Sequence, residues 1–265
     1  MSRSPAPVAV VTGAAGNLGP VWTGGLLDAG YRVAALTLEG TEQDPVLVEL
    51  GSTYGDNLDV VTADVTSRED LDAAATHVLG RWGSPDVLVN NAGVDVPPRP
   101  GEGTLLQDVS ADTFRRVLEV NVLGAFQAMQ VFGAAMAAAG GGSIVNIGSL
   151  YASVSPDPRM YDHVPMEPPF LKPPAYGASK AGLVNLTRYF ATHLASQGVR
   201  VNTLSPGGVA GGQDPEFVRK FSARVPLGRL ARPDELVQPL LFLASDASSY
   251  VTGIELKVDG GFTAW

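Results

Sequence analysis

The chain has 265 residues, of which 45% are hydrophobic and 17% charged, enough apolar sequence to bury a substantial core. Its formal net charge of −9 argues against nucleic acid or an anionic membrane as a partner, because both require a clustered basic surface. The absence of cysteine excludes disulfides and thiolate metal sites, and no apolar run is long enough to indicate a membrane span or a signal peptide, so we expect a cytoplasmic protein.

Short apolar segments rich in β-branched residues alternate with longer amphipathic segments along the chain. The predicted strands are 7–12, 31–37, 58–63, 86–90, 142–149, 199–206 and 254–261, and the predicted helices are about 17–29, 44–54, 67–82, 110–140 and 175–196. Continuously apolar strands separated by helices are typical of a parallel sheet covered on both faces. We therefore predict an α/β fold with a Rossmann-type, doubly wound sheet of about seven strands, as a single domain over 1–265.

The segment "TGAAGNLG" (12–19) lies where the first strand passes into the first helix. Glycines there let the backbone approach a pyrophosphate, and the helix amino end supplies free N–H groups and a positive dipole. A glycine-rich tight turn is the alternative interpretation. The functional one predicts cofactor contacts from Gly13, Asn17, Leu18 and Gly19.

Two further groups of polar or small residues follow the third and fourth strands. Asp64 and Val65 come after the third strand, and Asn91, Ala92 and Gly93 come after the fourth. Each alone is more often a cap or a turn former. Because the carboxyl ends of parallel strands meet at one edge, where such sheets bind ligands, together they favour a dinucleotide site.

The segment "YGASK" (176–180) opens a helix and places Tyr176 and Lys180 four residues apart, on one helix face. A tyrosine with an ordinary pKa near 10 is a poor base at neutral pH, but a nearby ammonium lowers that pKa by stabilising the phenolate. Ser149, at the end of the fifth strand, adds a hydroxyl that can bind a reacting oxygen, although a strand-end cap is the alternative. These residues predict a proton-transfer site.

The segments "TGAAGNLG", "NNAG", "YGASK", "RVNTLSPGG" and "VDGG", with Asn121 and Ser149, resemble the short-chain dehydrogenase/reductase family in its single-domain form. The finer pattern resembles a bacterial branch linked to modification-sugar and flagellin-glycan pathways. The resemblance implies that Tyr176 is the acid/base and that Lys180 binds the nicotinamide ribose. It also implies that Ser149 positions the substrate oxygen and that Asn121 holds a water behind Lys180.

The same resemblance implies hydride exchange between a nicotinamide and a secondary alcohol or ketone, with Pro206, Gly207 and Val209 beside the nicotinamide. Three alternatives stay open. One is an NADP-dependent carbonyl reductase of a less polar ketone. A second is sugar epimerase or dehydratase chemistry, because the middle glycine of the loop falls at Gly16 instead of at Asn17. A catalytically silent dinucleotide-sensing scaffold is the alternative outside enzymes.

Cofactor choice depends on the end of the second strand, where NAD-selective proteins carry an acidic residue. Thr37 stands there, and neither Gly16, Asn17 nor Leu38 supplies a cation for a 2′-phosphate. The lack of positive charge favours NAD(H) over NADP(H).

Ser149 and Tyr176 lie 27 positions apart, about twice the family's usual spacing, and the insertion at about 150–174 holds seven prolines in residues 154–174. Prolines limit the entropy lost on ordering. We predict a substrate wall for a sugar or polyol, made by Tyr151, Tyr161 and His163 together with Asp95, Ser149 and Gly208. A solvated insertion or an oligomer contact is the alternative. His163 has no second ligand nearby, so no metal site is predicted.

The chain ends in "VDGGFTAW", with two large aromatic residues, Phe262 and Trp265, after the last strand. The family resemblance implies a homotetramer in which this strand packs against a neighbouring subunit. We therefore expect both aromatics in a subunit interface. The alternative is that Trp265 folds back over its own core.

Overall fold

Seven strands lie parallel in one sheet in the computed structural model, which describes residues 6–97 and 105–265. In chain order they are β1 (Val8–Thr12), β2 (Arg32–Thr37), β3 (Leu58–Thr62), β4 (Val87–Asn90), β5 (Gly142–Ile147), β6 (Val199–Pro206) and β7 (Glu255–Val258). Their order across the sheet is β3-β2-β1-β4-β5-β6-β7. The chain therefore reverses its winding direction between β1 and β4, which confirms the predicted doubly wound sheet.

Eight α-helices connect or flank these strands in the described ranges. They are α1 (Gly19–Asp28), α2 (Pro45–Tyr54), α3 (Arg68–Trp82), α4 (Ala111–Leu118), α5 (Ala125–Ala139), α6 (Pro174–Leu194), α7 (Pro215–Ser222) and α8 (Val237–Ala244). The helices α7 and α8 were absent from the sequence prediction, because eight residues give too few turns for a clear periodic pattern.

The predicted long helix over 110–140 is present but not uniform. Ser110 caps it by accepting a hydrogen bond from the Thr113 amide at 3.3 Å. Between α4 and α5 the segment Glu119–Gly124 forms a π-helical turn, and the run ends at Gly140 in the left-handed region with φ of 95°. By length and hydropathy, residues 111–139 could cross a bilayer, but seven of the fifteen residues of α5 are buried, as in a core helix.

Two hydrophobic clusters fill the two faces of the sheet, because successive strand residues point to opposite sides. On β1, Val8 and Val10 pack with residues of α3, α5 and α6, while Ala9 and Val11 pack with residues of α1, α2 and α8. These layers hold the carboxyl ends of the strands in a fixed relation to one another.

A third cluster lies apart from the two sheet faces and joins the insertion, α7 and the end of the chain. Its buried members are Leu150, Met160, Phe221, Val225, Leu230 and Phe262. Phe262 is 4% exposed and stacks on Phe221 with ring centroids 4.8 Å apart. The prediction that a neighbouring subunit buries Phe262 is therefore wrong, because its own chain does so. Trp265 remains 80% exposed, and its indole donates to the Arg224 carbonyl at 3.3 Å.

Candidate active site

An open cleft of about 1240 Å³ runs along the carboxyl ends of the strands, from the glycine-rich loop to the insertion. Every residue predicted to bind cofactor or substrate lines it, with the exception of Gly19. Gly19 instead packs behind the loop, where a Cβ atom would lie 2.3 Å from the Ala14 carbonyl oxygen. Asn121 also lies behind the cleft wall.

The glycine-rich loop forms a tight coil whose shape requires glycine. Gly13 has φ of 61°, and a Cβ there would lie 2.7 Å from the Cα atom of Ala92. Within the described residues, the amides of Asn17 and Leu18 have no hydrogen-bond acceptor, and both precede the first turn of α1. Free amides at a helix amino end bind phosphate oxygens, so the loop fits a dinucleotide pyrophosphate.

Asn91 holds this loop in place from the neighbouring strand. Its Nδ2 donates to the carbonyls of Thr12 and Gly13 at 3.1 and 2.8 Å. Its Oδ1 accepts from the indole of Trp22 at 2.9 Å. The side chain predicted to contact the cofactor is thus occupied by the protein, and it acts on the site by fixing the loop. Trp22 was not identified from the sequence, since no motif marks it.

The adenosine end of the cleft is formed by the residues after β2 and β3. Asp64 Oδ1 accepts from the amide and the hydroxyl of Thr66, both at 2.8 Å, while Oδ2 has no partner in the described ranges. This free oxygen can accept from an adenine amino group. The hydroxyls of Thr37 and Thr41 bond each other, so Thr37 offers no free acceptor comparable to a carboxylate. Val65 lines the cleft beside Asp64.

Ser149 and Tyr176 both line the cleft, and the Ser149 side chain acts on the pKa of Tyr176. Ser149 also caps the turn after β5, because its Oγ accepts from the Tyr151 amide at 3.2 Å. Burial, and secondarily the charge of Asp95, raises the pKa of Tyr176 to about 12, against the lowering effect of the Ser149 side chain. The hydroxyl of Tyr176 is therefore protonated at neutral pH.

Lys180 is 4% exposed, and its Nζ donates to the Ile147 carbonyl at 2.8 Å while lying 5.6 Å from the centroid of the Tyr176 ring. Burial lowers the pKa of Lys180 to about 8, with Asp95 opposing the shift. The expectation that Lys180 brings the pKa of Tyr176 below its ordinary value is wrong for this structure, because burial of the hydroxyl raises that pKa and Lys180 is not among the groups that shift it.

Asn121 lies in the π-helical turn, which directs its side chain toward the end of β4. Its Oδ1 accepts from the Val94 amide at 2.7 Å, and its Nδ2 donates to the Val94 carbonyl and to Ser179 Oγ, both at 3.0 Å. Ser179 in turn donates to the Tyr176 carbonyl at 2.7 Å. Asn121 thus joins the strand end to the helix that carries Tyr176. A Cβ on Gly93 would lie 3.3 Å from its Oδ1, so a larger residue there would require the Asn121 side chain to shift.

The insertion packs against the reacting centre through its aromatic residues. Tyr161 lies between Phe170 and Phe217, with ring centroids 4.5 and 5.5 Å away. Its hydroxyl is 3.4 Å from that of Tyr151, whose ring contacts Tyr176 edge-on at 6.5 Å. Burial raises the pKa of both Tyr151 and Tyr161, so both present neutral hydroxyls to the cleft.

His163 lines the cleft, but both of its ring nitrogens bind protein groups. Its Nδ1 accepts from the ammonium of Lys220 at 3.2 Å, which leaves Nε2 to donate to Asp214 Oδ1 at 2.8 Å. These bonds tie the insertion to α7, since Asp214 caps that helix. The sequence predicts that His163 recognises the substrate. In the structure neither ring nitrogen is left for a hydrogen bond to a substrate. Among the described residues no group of three or more His, Asp and Glu could hold a metal ion.

An ion pair between Lys172 and Asp95 completes the wall above Tyr176. Lys172 belongs to the insertion, and its Nζ lies 5.5 Å from the centroid of the Tyr176 ring. Sequence reasoning singled out Asp95 but not Lys172, because no motif joins residues 77 positions apart.

The opposite wall follows β6, through Pro206, Gly207, Gly208 and Val209. A Cβ on Gly208 would lie 2.5 Å from Phe221, so this backbone packs directly against the third cluster.

Comparison with known proteins places this fold and cleft in one family. The family model described as enoyl-(acyl carrier protein) reductase matches residues 13–263. Galactitol 2-dehydrogenase (L-tagatose-forming) of Cereibacter sphaeroides is 36% identical over 263 residues, which are 97% of this chain and 95% of the relative. Cis-4-hydroxycyclohexanecarboxylate dehydrogenase of Sinomonas cyclohexanicum is 36% identical over 262 residues, 97% of this chain and 96% of that protein.

Among solved structures, a gluconate 5-dehydrogenase from Burkholderia cenocepacia J2315, in complex with NADP and tartrate, superposes with a TM-score of 0.84 at 29% identity. The match covers 99% of this chain and 97% of that one. The chain belongs to the short-chain dehydrogenase/reductase family. It is an NAD(P)-dependent oxidoreductase that acts on a secondary alcohol or the corresponding ketone.

Proposed function

We propose that this enzyme interconverts a secondary alcohol and a ketone on a sugar, a polyol or a related polyhydroxylated molecule, with NAD(H) as its cofactor. The observation that carries the proposal is that Ser149, Tyr176 and Lys180 line one cleft, which begins at a phosphate-binding loop. The hydroxyls of Tyr151 and Tyr161 and the ion pair of Asp95 and Lys172 give that cleft the polar groups that a polyhydroxylated molecule requires.

Tyr176 is the proton donor in ketone reduction and the acceptor in alcohol oxidation. Ser149 would hold the reacting oxygen next to the Tyr176 hydroxyl, and Lys180 would bind the nicotinamide ribose. Asn121 positions the helix that carries Tyr176 through its contacts with Val94 and Ser179. The nicotinamide, when bound, supplies or accepts the hydride.

The amides of Asn17 and Leu18 would bind the pyrophosphate, and Asp64 would accept from the adenine. The cleft walls at Ala92, Gly93, Pro206, Gly207 and Val209 enclose the nicotinamide end.

The preference for NAD(H) is supported by the charges of the cleft. Its cationic side chains within the described ranges are Arg116, Lys172 and Lys180. Arg116 pairs with Glu119 at 3.3 Å, and both lysines lie beside Tyr176. A 2′-phosphate at Thr37 would therefore lose its hydration without gaining a counter-ion, which is unfavourable.

A homotetramer and a cytoplasmic location are further proposals. Phe242, Tyr250, Ile254 and Trp265 are exposed large apolar side chains on or near α8, β7 and the chain end, and they support a subunit contact on this side. Light scattering on the purified protein and fractionation of the source cells test the two proposals.

The function is tested by following reduced-nicotinamide absorbance while a panel of hexitols, pentitols and ketoses is offered with NAD or NADP, with Tyr176→Phe as the blank. We expect turnover with one or more polyols or ketoses in the parent and none in the variant. A parent that binds NADH but turns over no member of the panel would refute the substrate class. Relatives that are dehydrogenases favour hydride transfer over epimerase or dehydratase chemistry.

A further inference from the structure

The ion pair of Asp95 and Lys172 is the charged feature that the insertion brings to the reacting centre. Lys172 is 12% exposed at its side chain, and its Nζ lies 5.5 Å from the centroid of the Tyr176 ring. The carboxylate of Asp95 shifts the pKa values of Tyr176, Tyr151, Tyr161 and Lys180, so its field reaches these four groups. Neither member of the pair belongs to the proton-transfer set.

The other polar groups of the insertion that face the cleft are occupied or neutral. Tyr161 shares its hydroxyl with Tyr151, and His163 uses both ring nitrogens on Lys220 and Asp214. On the side of the cleft formed by the end of β4, the insertion and α7, the charged residues of the described ranges are Asp95, Lys172 and Asp214. Asp214 already caps α7 and accepts from His163. No cation on this side is free to receive an anionic substrate.

A hydroxyl group suits such a pair, because it can donate to a carboxylate and accept from an ammonium at the same time. The pair need not separate for this contact. A carboxylate on the substrate would instead have to take Lys172 from Asp95, which would leave Asp95 partly buried, unpaired and close to the incoming charge. The pair therefore discriminates between neutral and acidic substrates by charge.

We propose that Asp95 and Lys172 form a specificity-determining dyad, which binds a hydroxyl group near the reacting carbon of the substrate. The dyad selects neutral polyols over their carboxylate analogues. This inference rests on the proposed function and names the substrate class within it. It differs from what the names of two relatives suggest for those proteins, since hydroxycyclohexanecarboxylate and gluconate are acids.

The test compares galactitol and D-glucitol with D-galactonate and D-gluconate, pairs that differ only by a terminal hydroxymethyl or carboxylate. Steady-state kinetics with NAD are measured for the parent, Asp95→Asn, Lys172→Met and the double variant. Asp72→Asn is the matched control, because Asp72 forms an exposed ion pair with Arg68 on α3 and neither residue lines the cleft. NADH binding by fluorescence verifies that each variant keeps its folded cofactor site.

We expect the parent to favour hexitols by about tenfold or more in kcat/KM, which corresponds to about 1.4 kcal/mol. Asp95→Asn frees Lys172 from its ion pair, so the KM for hexitols rises and kcat/KM for aldonates increases. The preference for hexitols over aldonates therefore falls by about tenfold. Lys172→Met raises hexitol KM with no gain for aldonates. Asp72→Asn changes neither value.

Several outcomes overturn the dyad while leaving the proposed interconversion of an alcohol and a ketone intact. One is that Asp95→Asn turns over hexitols with an unchanged preference for hexitols over aldonates. The second is that both single variants change kcat alone. The third is a parent that prefers aldonates. A parent that binds NADH and oxidises neither class refutes the proposed function itself. If the Asp95→Asn variant fails to bind NADH, the Lys172→Met variant decides the test. An unchanged KM for hexitols in Lys172→Met overturns the proposal.

Discussion

The ammonium of Lys180 is buried and donates to the carbonyl of Ile147 at 2.8 Å. Burial lowers its pKa from 10.5 to about 8, which corresponds to about 3 kcal/mol of unfavourable interaction for the charged form. Below pH 8 the amine is charged in both the folded and the unfolded chain, so the full cost is present. Between pH 8 and 10.5 the folded chain loses its proton first, and the cost declines.

Lys180→Met should therefore raise the melting temperature at pH 7 while abolishing turnover and weakening NADH binding. The gain is a few degrees, since the Ile147 carbonyl loses its donor at a cost of about 1–3 kcal/mol. Thermal unfolding at a series of pH values tests this prediction. The difference from the parent should shrink as pH rises from about 8 to 10.5. Lys257→Met, at an exposed lysine of β7, is the control and should show no such trend.

Tyr176→Phe should remove turnover in both directions and leave NADH affinity nearly unchanged, because the hydroxyl handles a proton and not the dinucleotide. In the parent, the pKa of Tyr176 near 12 keeps the hydroxyl protonated at neutral pH. Ketone reduction should therefore be insensitive to pH in the neutral range, and alcohol oxidation should rise toward alkaline pH. Initial rates in both directions measure this contrast. Residual turnover within about tenfold of the parent would refute the role of Tyr176.

Thr37→Asp should strengthen the preference for NAD(H) by about tenfold, because a carboxylate accepts from the ribose hydroxyls and repels a 2′-phosphate. Fluorescence titration with NADH and NADPH gives both affinities. Thr37 is buried, so Thr37→Asn controls for the loss of its hydroxyl contact with Thr41 without adding charge. Equal affinities of the parent for the two cofactors would contradict the proposed preference.

Deletion of residues 156–170 removes most of the insertion and should raise substrate KM or abolish activity. The deletion also removes Met160 from the third cluster, so His163→Ala is sharper. That change breaks the bonds to Asp214 and Lys220, and we expect KM to rise by about tenfold with NADH affinity unchanged. Arg159→Ala, at a side chain 84% exposed in the same segment, is the matched control. Identical KM values in the two variants would make the insertion a passive surface feature.

The two aromatic residues at the chain end should now behave differently. Phe262→Ala leaves a cavity against Phe221 and should cost about 3–5 kcal/mol of stability with no change in assembly. Trp265→Ala should leave the melting temperature of the folded chain little changed but shift a tetramer toward smaller species. Light scattering combined with thermal unfolding separates the two effects. An unchanged mass for Trp265→Ala would exclude that residue from an interface.

The sequence predicted the sheet well, and all but one of the residues predicted to bind the cofactor line the cleft, because parallel strands end at one edge whatever their order. The prediction for β6 even coincides with Val199–Pro206. The substrate half was predicted only as a region, since the contacts of Lys172 with Asp95 and of His163 with Asp214 depend on how a long loop closes. The direction of the Tyr176 pKa was missed for a related reason: burial decides it, and burial is a property of the packed chain.

The third cluster makes three distant segments of the chain interdependent. Met160 of the insertion, Phe221 of α7 and Phe262 near the carboxyl end meet in one small apolar centre that is separate from both faces of the sheet. In a chimera that takes only the insertion from a relative, the residue that replaces Met160 would pack against the native Phe221 and Phe262. The packing of the cluster would then be mismatched. Exchange of all three segments together would keep the contacts within the cluster matched. To change the substrate range of this scaffold, the three segments should therefore be exchanged together. The strands that carry the dinucleotide site can be left unchanged.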